Sequence, residues 1–168
     1  MNKNLTAIDF YSGIGGWSLG FELAGIKILK SYEWWEPANN THNKNLAANT
    51  LQADIRELDI SMIPHDVDFV IGSPPCNQFS YSNRGGSGDL KEGLQDIRKF
   101  LEIVSSVKPK FWAMENVPRV AKVIQKEIQN GGVLEQFSGI LKTEMIHVVD
   151  MSAFGLPQRR KRCIVGNF

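Results

Sequence analysis

Short apolar runs alternate along the chain with amphipathic stretches, and this alternation restricts the fold more than any other feature. LTAIDFY (5–11), IKILKSYE (26–33), VDFVI (67–71), KFWAME (110–115), TEMIHVV (143–149) and RCIVGNF (162–168) each read as a strand. GWSLGFELAG (16–25) reads as a helix stopped by a left-handed Gly25, and EPANNTHNKNLA (36–47) as a helix with Pro37 in its first turn. A short element lies near Leu51–Ile55. A longer helix is expected from Leu90 to Val107, with Leu94, Ile97, Leu101 and Val104 on one face, and another from Pro118. Strands separated by helices pair in parallel through crossovers, so the expected fold is α/β, a doubly wound, mostly parallel sheet. With 168 residues, the chain is expected to form one domain over 1–168.

Composition narrows the functional classes. A formal net charge of +1 gives no global attraction to nucleic acid, so such a partner must be held by local patches, of which QRRKR (158–162) stands out. No apolar stretch is long enough to cross a bilayer, and MNKNLTAIDF does not read as a secretory signal; a cytoplasmic location is expected. Cys76 and Cys163 lie far apart without a CxxC or a Cys/His cluster, which indicates neither a disulfide framework nor a metal site.

In a doubly wound sheet the ligand lies beyond the carboxyl ends of the strands, so the residues just after each strand matter most. YSGIGGW places Gly13, Gly15 and Gly16 after the first strand, where they suit a tight turn or a backbone approached by a ligand; the G-x-G-G spacing leaves both open. Glu33 and Trp34 follow the second strand, about 20 residues on, the spacing at which an acid meets a ribose diol. A core Trp beside a surface Glu would read the same way. Asp54 in ADI suits an exocyclic amine or a simple cap. Cys76 in GSPPCNQFS stands behind Pro74 and Pro75, which restrict the loop; it can be a small buried hydrophobe or a nucleophile. Glu115 ends another strand on the same sheet edge and could act on a substrate ring, while Arg160 and Arg162 could favour a thiolate and hold phosphate.

Taken in order, these segments resemble the cytosine-5 DNA methyltransferase family. DFYSGIGG is similar to its first motif, EWW to its second, ADI to its third, PPCNQFS to its catalytic fourth, MENV to its sixth and GLPQRRKR to its eighth. The resemblance implies a Rossmann-like fold that binds S-adenosylmethionine and releases S-adenosylhomocysteine. Tyr11 and the backbone of Gly13, Ile14, Gly15 and Gly16 would cradle the cofactor, Glu33 would take its ribose, Trp34 would face its adenine, and Asp54, Ile55 and Pro75 would complete the pocket. Cys76 would add to carbon 6 of a cytosine flipped out of DNA. Glu115 would bind ring nitrogen 3 and the exocyclic amine, Asn116 would brace the cysteine loop, and Arg160 and Arg162 would position the base.

The sequence departs from the family pattern in places. Asn77 stands where the family has Gln, and DLKEGL (89–94) matches the fifth motif only loosely. After CIVGNF the family continues through a target-recognition region to a last helix that packs beside the first strand; a second polypeptide is one way to supply it. Two other functions stay in view: methylation of cytosine in a transfer RNA, and a non-catalytic subunit. A restriction-modification or phage-like setting is expected for the DNA reading. His42, His65 and His147 are read as satisfied or solvated, Cys163 as core, and Trp17, Trp35 and Trp112 as packing residues.

Overall fold

The computed structural model describes residues 5–48, 50–75 and 90–168. Strands β1 (Thr6–Phe10), β2 (Lys27–Glu33), β3 (Thr50–Gln52), β4 (Phe69–Gly72), β5 (Phe111–Asn116), β6 (Ile146–Asp150) and β7 (Lys161–Gly166) form one sheet. Its order is β3-β2-β1-β4-β5-β7-β6. Helices α1 (Gly16–Leu23), α2 (Glu36–Asn45), α3 (Leu90–Val107) and α4 (Arg119–Glu127) connect or flank the strands. The pairs β1–β2, β1–β4, β2–β3 and β4–β5 are parallel, whereas β7 runs antiparallel to both β5 and β6. The doubly wound, mostly parallel α/β sheet expected from the alternation is therefore the observed one.

Chain order reverses at β1, flanked by β2 and β4, so the crevice beyond their carboxyl ends is the natural ligand site. Because β7 is reversed, its first residues, not its last, lie at that edge. Arg162 and Cys163 thus come beside the end of β5, where Asn116 is paired with Cys163.

One sheet face is well covered. Ile97, Phe100, Leu101 and Val104 of α3 are buried with Ile8, Phe10, Val70, Trp112 and Met114, the apolar stripe of a helix laid on the alternating faces of the strands. Phe10 and Tyr32 stack at 5.0 Å within this core, and Cys163 is fully buried in it, as expected. On the other face Ala7, Ile28 and Ile71 are buried under α1, with Trp17, Phe21 and Phe69 only partly covered.

Some expected boundaries and burials differ. Thr143–Met145 forms a 3-10 turn rather than the start of a strand. The β6 register opens at Ile146 opposite Val165, one residue from the end of β7, so earlier residues have no strand to pair with. Trp35 does not pack: it is 54% exposed and serves as the N-cap of α2, where the chain turns away from the sheet. Trp17 is half-buried and Trp112 is buried. His42 is buried, and among the described residues its Nδ1 has no partner, so it is neither solvated nor fully satisfied there. Among the described residues no helix is long and apolar enough to cross a membrane, and no cluster of His, Cys, Asp and Glu could hold a metal ion.

Candidate active site

The turn between β1 and α1 supports the site. Tyr11 and Gly13 adopt left-handed backbone angles (φ 53 and 53), and Gly15 caps α1 at φ 95. At Gly15 the requirement is also steric, because a Cβ there would meet the side chain of Leu46 and lie 2.7 Å from Cδ2 of His42. Glu33 grips the turn from β2: Oε2 accepts from the Gly13 N–H at 2.9 Å, and Oε1 accepts from the Trp35 N–H at 2.8 Å. This carboxylate is buried rather than on the surface, and it fixes the two loops that flank the crevice.

A cavity of ≈ 350 Å³ opens beside Tyr11 and Trp34, at the lower end of volumes typical of small-molecule sites (about 300–1,000 Å³). Trp34, 61% exposed, provides a flat aromatic wall, Ile55 a buried floor, and Asp54 and Pro75 the rim. The opposite wall was not anticipated. Arg56 Nε and an Nη donate to both oxygens of Asp96 on α3, at 2.9 and 2.7 Å, and the Tyr11 hydroxyl donates to the Asp96 carbonyl at 3.3 Å. Burial and the neighbouring Asp96 push the Tyr11 phenol far above its usual range, so it remains a hydrogen-bond donor.

Tyr11 also lines a second cavity of ≈ 550 Å³, with Gly13, Gly16, Ser73, Glu115, Arg160 and Arg162. Here Arg162 Nε forms a 2.6 Å ion pair with Glu115 Oε1, both groups being mostly buried. Asn116, at the end of β5, donates from Nδ2 to the Pro74 carbonyl at 3.1 Å, holding the Pro74–Pro75 segment to the sheet. Trp17 Nε1 donates to Ser73 Oγ at 3.0 Å and ties α1 to the same segment. Asp150 organises the loop that carries Arg160, accepting from the Ser152 and Arg160 backbone N–H groups at 3.2 and 3.1 Å. These bonds hold its carboxyl below the usual range.

Most of the residues expected to form a cofactor pocket are brought together. Tyr11, Gly13, Gly16, Trp34, Asp54, Ile55 and Pro75 line one or other cavity, and Glu33 holds Gly13 from behind, while Gly15 packs on His42 and the Ile14 side chain is 65% exposed, so that these last three line neither cavity. Glu115, Asn116, Arg160 and Arg162 converge at the second cavity. Cys76 and Asn77 lie outside the described residues; Pro75, the last residue described before them, sits on the rim. Arg56, Asp96, Trp17 and Asp150 were not expected at the site from the sequence. Asp96 left a signal: it is an acid on the apolar stripe of α3, four residues before Phe100.

Known proteins resemble this chain along nearly its whole length. The model of the family described as C-5 cytosine-specific DNA methylase matches residues 5–167. Type II methyltransferase M.HindV of Haemophilus influenzae is 32% identical over 164 residues, covering 94% of this chain and 51% of the relative. Type II methyltransferase M.HgiDI of Herpetosiphon aurantiacus is 33% identical, covering 96% and 51%. A solved structure from E. coli, described as a DNA modification methyltransferase encoded within a prophage, aligns at TM-score 0.74 with 29% identity, over 96% of this chain and 46% of its own. The chain spans about half the length of the curated relatives it matches.

Proposed function

Since the chain belongs to the C-5 cytosine-specific DNA methylase family, we propose that it carries the catalytic part of an enzyme that methylates carbon 5 of cytosine in DNA. The observation that carries this reading is the role of Tyr11 as a wall common to two cavities. One has an aromatic face and an acid suited to an adenosine; the other has a Glu–Arg pair beside the glycine turn. An elongated cofactor held by the first would present its reactive end to the second.

The residues present fit S-adenosylmethionine. Trp34 would stack on the adenine, Asp54 would accept from its amine, and Glu33 would bind the ribose while keeping Gly13 in place. When bound there, S-adenosylmethionine supplies an activated methyl group.

The chain's own residues would do the rest. The Cys76 thiolate would form a bond to carbon 6 of the flipped cytosine, pushing electron density onto carbon 5. Glu115 would bind ring nitrogen 3 and the exocyclic amine as that charge develops, with Arg162 fixing Oε1 so that the carboxyl faces the base. After carbon 5 has taken the methyl group, its proton leaves to a base and β-elimination breaks the carbon–sulfur bond, restoring Cys76. Asn116 would set the position of the cysteine loop through Pro74, and Arg160 would hold the substrate strand.

Target recognition would come from the sequence that the relatives carry beyond the matched half, on a second polypeptide or on further chain. The partly bare face between α1 and β7 suits the helix implied by the resemblance: Trp17, Phe21, Phe69, Phe111, Phe154 and Phe168 line an apolar groove of ≈ 510 Å³ there.

The test is transfer of labelled methyl groups to duplex DNA and to transfer RNA, using protein purified from its native source so that any partner is retained. Label in DNA cytosine, lost in Cys76→Ser, is expected; label in transfer RNA alone would replace this reading with the RNA one.

A further inference from the structure

Beneath the glycine turn lies a polar cluster that the proposed chemistry does not use. Asp9 of β1 is fully buried, and its Oδ2 accepts from the Ser18 backbone N–H at 3.2 Å and the Ser18 hydroxyl at 2.7 Å. Ser18 Oγ lies 3.3 Å from Nε2 of His42 on α2 and 3.2 Å from the Ser31 hydroxyl of β2. Among the described residues, Asp9 Oδ1 and His42 Nδ1 have no partner. Unpaired buried polar atoms are costly, so a cluster that holds them needs a reason beyond packing.

The geometry suggests the reason. Gly15 rests directly on the edge of the His42 ring, so close that a Cβ would collide with it. Ser18 sits in the first turn of α1, just past Gly16 and Trp17, which line the second cavity. The trio therefore touches the turn from below at Gly15 and secures the helix that the turn begins. Its hydrogen-bond direction depends on one proton. With Asp9 ionised, His42 Nε2–H donates to Ser18 Oγ, whose hydroxyl donates to Asp9. With Asp9 protonated, the acid donates to Ser18, whose hydroxyl donates to His42 Nε2, and the ring proton moves to Nδ1.

We propose that Asp9, Ser18 and His42 act as one buried positioning relay, whose state sets the conformation of the glycine turn and thereby its hold on the methyl donor. The clause about the methyl donor rests on the reading given under Proposed function. Desolvation pushes the Asp9 carboxyl up to about 7, and Glu33 at the end of β2 adds to the rise; desolvation lowers the His42 imidazole, opposed by Glu22 on α1. The relay thus changes state near neutral pH.

The experiment follows the amide signals of Gly13, Gly15 and Gly16 by nuclear magnetic resonance between pH 5.5 and 8.5 (about 1.5 units either side of the transition). Binding of S-adenosylhomocysteine is measured by calorimetry on the same samples. The wild type is expected to show all three amides shifting with a common midpoint near 7, and Asp9→Asn to show none of that shift. His42→Ala is expected to bind S-adenosylhomocysteine about fivefold more weakly, and His42→Gln, whose amide can still donate to Ser18, to recover most of the loss. Glycine amides that do not titrate, or titrate equally in Asp9→Asn, would overturn the relay even in protein that binds the ligand. Amides that titrate as expected without ligand binding would support the relay and count against the cofactor reading instead.

Discussion

Asn116 is 2% exposed and holds Pro74 through a single side-chain bond. Asn116→Ala would leave the buried Pro74 carbonyl without that donor, costing about 1–3 kcal/mol. A fall in melting temperature of about 2–4 °C per kcal/mol is expected by calorimetry. If Pro74 anchors the catalytic loop, the same variant loses at least about tenfold in kcat with little change in KM for DNA, the pattern of a positioning residue. Asp9 gives a different prediction. An unfolded aspartate ionises near 3.8, whereas the folded one keeps its proton up to about 7. Folding therefore takes up a proton between those values, and stability falls as pH rises through them. Asp9→Asn removes that slope, so urea midpoints of wild type and variant, compared at pH 4 and pH 7, should diverge as pH rises, with the variant the less sensitive.

At the scale of elements, two ion pairs bind helices and strands together, one of them at the crevice. Arg56 and Asp96 join the loop after β3 to α3. Arg56→Met is expected to weaken S-adenosylhomocysteine binding by about three- to tenfold, read by calorimetry, because it frees the wall that Tyr11 shares. Away from the crevice, Lys110 donates to Asp68 at 2.6 Å, with Thr6 on the other oxygen, holding β1, β4 and β5 in step. This holds the Asp68 carboxyl down at about 2. The stability it adds is present above 3.8 and lost as pH falls toward 2, so Lys110→Met should flatten the acid limb of the unfolding curve. The sheet was legible because strand and helix periods differ and each run has the length of one element. The antiparallel reversal of β7 was not, since a short apolar strand looks the same in either direction. Arg56 and Asp96 escaped notice because a pair 40 residues apart leaves no local pattern, and Trp35 because adjacent tryptophans at a strand end do not reveal that both stay exposed.

For the whole molecule, the edge on which the candidate residues gather was legible because strand ends in a parallel sheet share one side. Glu33, Asp54, Glu115 and Asn116 needed only the topology to meet. What sequence could not give was the paired state of these groups, such as Glu33 engaged by two backbone N–H groups, or Arg162 locked on Glu115. The uneven covering of the sheet sets a further expectation. A helix-bearing partner or further segment seated on the groove by Phe21 and Phe111 would raise methyl transfer, and Phe21→Asp would abolish that increase. Full activity of the chain as a lone monomer on gel filtration would remove the need for such a partner.

Attack of Cys76 on cytosine in DNA can be caught by trapping. Protein from its native source is incubated with S-adenosylmethionine and a duplex carrying 5-fluorocytosine, whose fluorine cannot leave as a proton does, and the adduct is mapped by mass spectrometry. A covalent complex through Cys76 is expected, absent in Cys76→Ser. A complex that forms equally well in Cys76→Ser, or none with any partner retained, would rule out that attack.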